Sequence, residues 1–592
     1  MDIQSDASTM ATVENGGLAV PAVKRSGSLE PHSRSVFGED RFFLILSVFI
    51  GIFSGLAVVC FRFAIDWCRL LMLGGGMVSP ARLLLAPTLA GLVISVLVIH
   101  VFPKARGSGV NQTKAALFIY NGYIPLRTAV GKFITSALAI GGGHSLGPED
   151  PSLQIGAAIA SALGRRAYLS RDRMRLIAPV GAAAGLAAAF NAPISAVLFV
   201  IEEVIGRWTA GILGSVVLSA VSSVVVMRWF LGSEPLFRIP VVRLEHPTEL
   251  IAYCVLGAVG GLLSVLFASG IGYFRGKCSR WPRWTRYLQS ATAGFLIGLI
   301  ALMGAPQVMG AGYEYMDEAM HGQFTWQFLA ILAGLKIVAT MFSFVSGTPG
   351  GMFAPTLFIG AMLGAAVGGA EHAVLPNLVT SPGTYALVGM GVLFAGFLRA
   401  PMTSVFMVLE VSGDYSIILP VIIANTIAYV ISRTFQPTPI FDVLTRQDGL
   451  ELPSMEHLRE EDVLQVEDAM RQVQYPVLDG DEAVTGVFQR LNPDWPEVMI
   501  VRMKPAGWST VNRNDIEKMA KESKDNQTLN AALDHNRVPH LYPDQPLDMA
   551  LRYVDRWKLV PVVSRADVGK LEGVISQVDV LEKYRNLGND SD

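Results

Sequence analysis

The sequence predicts an all-α polytopic membrane protein with broken helices in an inverted internal repeat, followed by a C-terminal α/β domain. Three observations predict it. The 592 residues are 51% hydrophobic and only 16% charged, with a mean hydropathy of +0.43, whereas soluble domains carry about 25% charged residues. Apolar runs approaching the ~20 residues that cross a bilayer recur as far as residue 447. Between them, in both halves, lie short apolar pieces interrupted by Gly and Pro, the mark of a transporter with a site near the bilayer midplane.

Residues 1–41 are polar and Ser-rich, with Lys24, Arg25, Arg34 and Arg41. An apolar stretch followed by a cleavage site is missing there, so the expectation is a disordered cytoplasmic tail. Its basic residues favour the inside face. Residues 42–447 form the membrane domain, with spans expected at 42–58, 83–101, 212–229, 251–273, 291–303, 328–345 and 417–431. The interrupted pieces fall at 104–109, 141–151, 191–193, 347–355 and 399–401. Gly181, Gly185, Gly360, Gly364 and Gly368 are read as close-packing positions between helices. From 448 to 592 charges become dense and apolar runs shrink to strand length. Strands are expected at 498–501 and 559–563, and helices at 515–524 and 546–557. This is a soluble α/β module on the cytoplasmic side.

The net charge of −2 gives no basis for a nucleic-acid partner. Cys60, Cys68, Cys254 and Cys278 have the spacing of neither a metal site nor a disulfide framework and read as small apolar residues. No metal site and no resident cofactor are expected of the membrane domain.

The chemistry concentrates between Gly142 and Gly156, where Glu149 and Asp150 stand side by side in an apolar region, flanked by Pro148 and Pro151. A carboxylate at membrane depth costs several kcal/mol without a partner or a water-filled cavity. Gly and Pro there break the helix and free backbone amides to face a ligand. Acid beside a broken helix points to an ion pathway. A carboxylate capping a helix N-terminus is the alternative. Gly143-His-Ser-Leu-Gly147 is also a formal GxSxG, the elbow of serine hydrolases, but its flanks are membrane segments rather than a strand and a helix of an α/β sheet.

Several segments carry a family likeness in a fixed order. They are Gly107-Ser-Gly109, Gly147-Pro-Glu-Asp-Pro-Ser-Leu-Gln154, the stretch AAGLAAAFNAPISAVLFVIEE from Ala183 to Glu203, Gly350-Gly-Met-Phe-Ala-Pro355, Arg399-Ala-Pro-Met-Thr403 and Val408-Leu-Glu410. Together they resemble the CLC chloride channel and proton-antiporter family. Val110-Asn111 departs from that family's GSGIP, and Pro148 and Asp150 replace its usual Arg or Lys and Gly.

The resemblance implies an anion held by helix N-termini, which offer N–H groups and partial positive charge without a fixed cation. Ser108, with Gly109, would give a hydroxyl to the central anion, and Met352 and Phe353 would give backbone amides. Glu149 aligns with the gating glutamate and would compete with the anion for the same amides. Glu203 aligns with the internal proton-transfer glutamate of the antiporters, with capping or an ion pair as its alternative. Glu202 reads as capping or salt-bridging a helix end at the cytoplasmic rim. Phe441 falls where the family has an anion-binding tyrosine and would be a steric gate without a hydrogen bond. Lys114 reads as an ion-pair partner.

The C-terminal module resembles a tandem CBS pair. Ser576 and Asp579 would contact the ribose of an adenine nucleotide, and Asn512 stands at the poorer matching place in the first half. The resemblance thus implies chloride transport, with proton exchange favoured over a passive channel because Glu149 and Glu203 are both present. It implies a homodimer in the plasma or inner membrane, both termini cytoplasmic. The partners are chloride, protons and the lipid bilayer. Alternatives of another class are a membrane-anchored nucleotide sensor and the serine hydrolase.

Overall fold

In the computed structural model, the described residues are 36–589, apart from 77, 208–209, 234–236, 238–248, 375–381, 451, 457–463, 474, 505–506, 523–526 and 535–536. The expected tail therefore lies, up to residue 35, outside the described residues. The chain divides into two units, 1–458 and 459–592.

The first half of the membrane unit comprises α1 (Val36–Met72), α2 (Pro80–Val96), α3 (Gly109–Phe118), α4 (Leu126–Gly141), α5 (Glu149–Arg166), α6 (Arg171–Phe190), α7 (Pro193–Phe199) and α8 (Ala210–Leu231). The second half repeats the series. It comprises α9 (Glu249–Ser279), α10 (Arg286–Leu302), α11 (Tyr313–Met320), α12 (Trp326–Val345), α13 (Phe353–Val374), α14 (Pro382–Leu398), α15 (Pro401–Ser412) and α16 (Ile418–Phe435). Helix α17 (Ile440–Gln447) follows. Among the described residues, eight helical spans are long and apolar enough to cross a membrane.

Matching side chains hold corresponding places in the two halves. Buried Lys132 on α4 donates to the Ala105 and Gly107 carbonyls, and buried Lys336 on α12 to those of Val308 and Gly310. Each ammonium satisfies carbonyls of the irregular turn before a short helix, which a bilayer cannot solvate. Glu202 accepts from the Met402 and Thr403 amides at the start of α15, while Glu410 accepts from the Ile194 and Ser195 amides at the start of α7. So Glu202 caps a helix end, one of the two roles the sequence left open for it, and Glu410 is its counterpart. The halves meet in an antiparallel bridge, Gly147 N–H to Gly351 O at 2.8 Å and Gly351 N–H to Gly147 O at 2.9 Å.

The packing glycines act as the sequence suggested. A Cβ on Gly185 would lie 2.1 Å from the Ser152 carbonyl, and one on Gly364 1.9 Å from that of Tyr385. Two expectations change. The first span does not end at 58 but continues to Met72 as one helix, because Arg62, Asp66 and Arg69 interrupt the apolar run without breaking the helix. The membrane unit also runs past 447, because Glu456 takes the Arg399 guanidinium at 3.2 Å and the Tyr429 hydroxyl at 2.9 Å.

The second unit holds β1 (Leu478–Asp479), α18 (Val484–Arg490), β2 (Val498–Arg502), β3 (Trp508–Asn512), α19 (Arg513–Glu522), α20 (Leu529–Leu533) and β4 (Arg537–Val538). After them come α21 (Leu547–Val554), β5 (Val560–Val563), β6 (Leu571–Ile575) and α22 (Gln577–Asn589). One sheet runs β1-β2-β3-β4, and β5 pairs antiparallel with β6. Met499, Val501 and Val511 of the first sheet pack with Leu529 and Leu533 of α20.

Candidate functional site

Ser108 is the N-cap of α3, its Oγ accepting from the Val110 N–H at 3.2 Å. Ser and Thr are favoured there because a helix start leaves amides without intrahelical partners. Facing it is the first turn of α5, which begins with the fully buried Glu149 and the nearly buried Asp150. Successive helical residues point about 100° apart, so the two carboxylates address different helix starts.

Glu149 faces α13. Its Oε1 accepts from the Tyr313 hydroxyl, and its Oε2 from the Ala354 amide at 3.4 Å. Met352 and Phe353 are buried at the same helix start. Asp150 faces α3: Oδ1 accepts from Ser108 Oγ and the Val110 amide, each at 3.0 Å, and Oδ2 from the Gly109 amide at 2.9 Å. Glu149 thus stands at the helix start of Met352 and Phe353, and it is Asp150 that takes the Ser108 donors. Glu149 reaches only the α13 end, and its neighbour holds the α3 end.

A cavity of about 640 Å³ opens beside this point, lined by Arg62, Asp66, Arg69, Pro148, Met309 and Tyr313 among others. Arg69 pairs with Glu314 through two contacts of 3.1 Å. Arg62 has no hydrogen bond or ion pair among the described residues. Basic side chains from α1 thus line the approach, although the motif itself has Pro148 where the family has Arg or Lys.

Glu203 sits in a π-helical turn, 200–205, and is ion-paired with Lys114 of α3. The Lys114 Nζ also lies 4.0 Å from Asp442 and 5.5 Å from the centre of the Phe441 ring. Lys114 is the ion-pair residue the sequence suggested. Phe441 is buried, and its carbonyl accepts from Asn111 Nδ2 at 3.0 Å. The Lys114 ammonium lies over its ring, so α17 is fixed to α3 through both Asn111 and Lys114.

Sequence reasoning missed Tyr313 and the Lys132–Lys336 pair. The repeat carried a signal for the first, since Gly310-Ala-Gly312 echoes Gly107-Ser-Gly109 and places Tyr313 at a helix start. The GxSxG segment is no elbow: Ser145 bonds Thr340 Oγ1 at 2.9 Å, and His144 meets the Pro87 carbonyl at 3.1 Å.

In the second unit Ser576 and Asp579 do come together. The Ser576 amide and hydroxyl both donate to Asp579 Oδ2, at 2.8 and 2.6 Å. Arg471 takes the other oxygen at 2.6 Å. The first half repeats the pattern with Asn512 Nδ2 donating to Asp515 at 2.9 Å.

Paired helix starts, converging on buried carboxylates between two repeated halves, define an ion transporter of the inverted-repeat class. Residues 90–433 match the model of the voltage-gated chloride channel family, and residues 532–586 that of the CBS domain. A ClcB-like protein of Ralstonia nicotianae is 32% identical over 425 residues, covering 69% of this chain and 99% of that one. The H(+)/Cl(−) exchange transporter ClcA of Vibrio campbellii is 31% identical over 419 residues, covering 68% and 88%. The solved structure of a slow cyanobacterial Cl−/H+ antiporter superposes with a TM-score of 0.63 at 23% identity, over 69% of this chain and 97% of that one. The chain belongs to the voltage-gated chloride channel (CLC) family, integral membrane proteins that transport ions and are not enzymes.

Proposed function

We propose that the chain exchanges chloride for protons, with Glu149 as the gate. One observation carries this reading: Glu149 is fully buried where α5 meets α13, bonded to the Ala354 amide and Tyr313, with Tyr313 lining the open cavity. An ionised Glu149 holds a donor that an anion needs. A protonated one gives that donor up, so one side chain links a proton step to an anion step. Glu203 would hand protons to the other side. The test is chloride-driven proton movement in proteoliposomes, where an outward chloride gradient should move protons inward and Glu149→Gln should stop it.

The passive channel is the second reading, and the Lys114–Glu203 pair favours it. Proton transfer through Glu203 requires that buried pair to open. Absence of chloride-driven proton movement in the wild-type chain, with chloride flux intact, would select it.

The proposal extends to a homodimer in the plasma or inner membrane with cytoplasmic termini. An adenine nucleotide at the second unit would place its ribose against Asp579, where it must displace Arg471.

A further inference from the structure

We propose that Asp150 is a built-in anion occupying the Ser108 end of the transport pathway, a second carboxylate gate beside Glu149. This rests on reading the start of α3 as an anion site. Asp150 is 2% exposed, and its carboxylate takes one hydroxyl and two backbone amides from a segment some forty residues away, all within 3.0 Å. No cation pairs with it among the described residues. The nearby Lys132 ammonium is turned to the carbonyls of Ala105 and Gly107. Its charge is therefore met by the groups that would meet a dehydrated chloride: a hydroxyl, two N–H donors and a helix start.

Glu202 and Glu410 meet the starts of α15 and α7 through a hydroxyl and two amides in the same way. What sets Asp150 apart is its place, next to Glu149 where α3, α5 and α13 meet. The backbone is shaped to admit the aspartate as well. A Cβ on Gly109 would lie 2.5 Å from the Asp150 carbonyl, and one on Gly351 2.8 Å from the Asp150 Cβ. Glycine at both positions lets residue 150 sit against both helix starts.

The Gly109 and Val110 amides cannot serve a carboxylate and a chloride at once. Chloride reaches them only after Asp150 leaves, just as it reaches the Ala354 amide only after Glu149 leaves. Two consecutive carboxylates hold the two donor sets, and clearing one leaves the other closed.

The test is calorimetric chloride binding to the purified full-length chain at one fixed pH, for wild type, Asp150→Gly and Asp150→Asn. Removing a charged competitor from three donors should tighten chloride binding at least about tenfold in Asp150→Gly. Asp150→Asn, which keeps the shape and so guards against misfolding, should tighten it by a smaller factor. Unchanged affinity in both variants overturns the proposal. Weaker affinity in both, with folding intact by size-exclusion profile, also overturns it, because Asp150 would then support the anion rather than replace it. Proton coupling is read separately. If Asp150→Gly tightens chloride while wild type moves no protons, the exchange reading fails and the second gate stands.

Discussion

Removing Lys114 should be more damaging than removing its partner Glu203. Both side chains are almost completely buried, at 1% and 2% exposure. In Lys114→Met, Glu203 loses the buried ammonium it is paired with, and Asp442 at 4.0 Å loses the same group. Breaking a buried pair in this way costs about 3–5 kcal/mol. In Glu203→Gln the ammonium still has Asp442 and the Phe441 face, 5.5 Å from the ring centre. Losing one charged hydrogen bond while keeping a neutral one should cost about 1–3 kcal/mol. The double variant removes both charges and should cost less than the sum, with a coupling of at least about 1.5 kcal/mol. The assay is the folded fraction in mixed micelles as denaturing detergent is raised, for wild type, both single variants and the double variant. The reasoning is refuted if the single effects simply add, or if Glu203→Gln is the more damaging change.

Three further outcomes are expected. Glu149→Gln keeps chloride flux and abolishes proton coupling in proteoliposomes; if it still pumps protons while Asp150→Asn does not, the gate is Asp150. Glu203→Gln slows or removes proton movement and spares chloride, and an unchanged proton flux would mean that protons enter by another group. Phe441→Tyr adds one hydroxyl, and a hydrogen bond to a charged group is worth about 1.5–3 kcal/mol, so chloride binding by calorimetry should tighten about tenfold or more and coupling should rise. No change in either means that the hydroxyl has no anion within reach.

The membrane domain was legible because its signals are local. Long apolar runs and the Gly- and Pro-broken segments follow from composition and helix-end chemistry, whereas the helix start that Glu202 caps lies about 200 residues away and was not legible. The length of α1 was not legible. Arg62, Asp66 and Arg69 end the apolar run in the sequence, and only the fold shows that they stay helical and line an open cavity. The candidate site was legible as a set of residues but not as pairings. Glu149 and Asp150 are adjacent in sequence, and only the crossing of α3, α5 and α13 decides that one faces Ala354 and the other Ser108. In the sequence nothing assigns a partner to Lys132 or Lys336. Their targets are backbone carbonyls some 25 residues back in the chain, which no side-chain pattern records.

The central claim, proton-coupled chloride exchange, is tested most directly by the reversal potential of the reconstituted wild-type chain. The chloride gradient is held fixed while the pH gradient across the bilayer is varied. The account predicts that the reversal potential shifts with the pH gradient, and that Glu149→Gln returns it to the chloride equilibrium potential. A wild-type reversal potential that follows chloride alone, whatever the pH gradient, would contradict it.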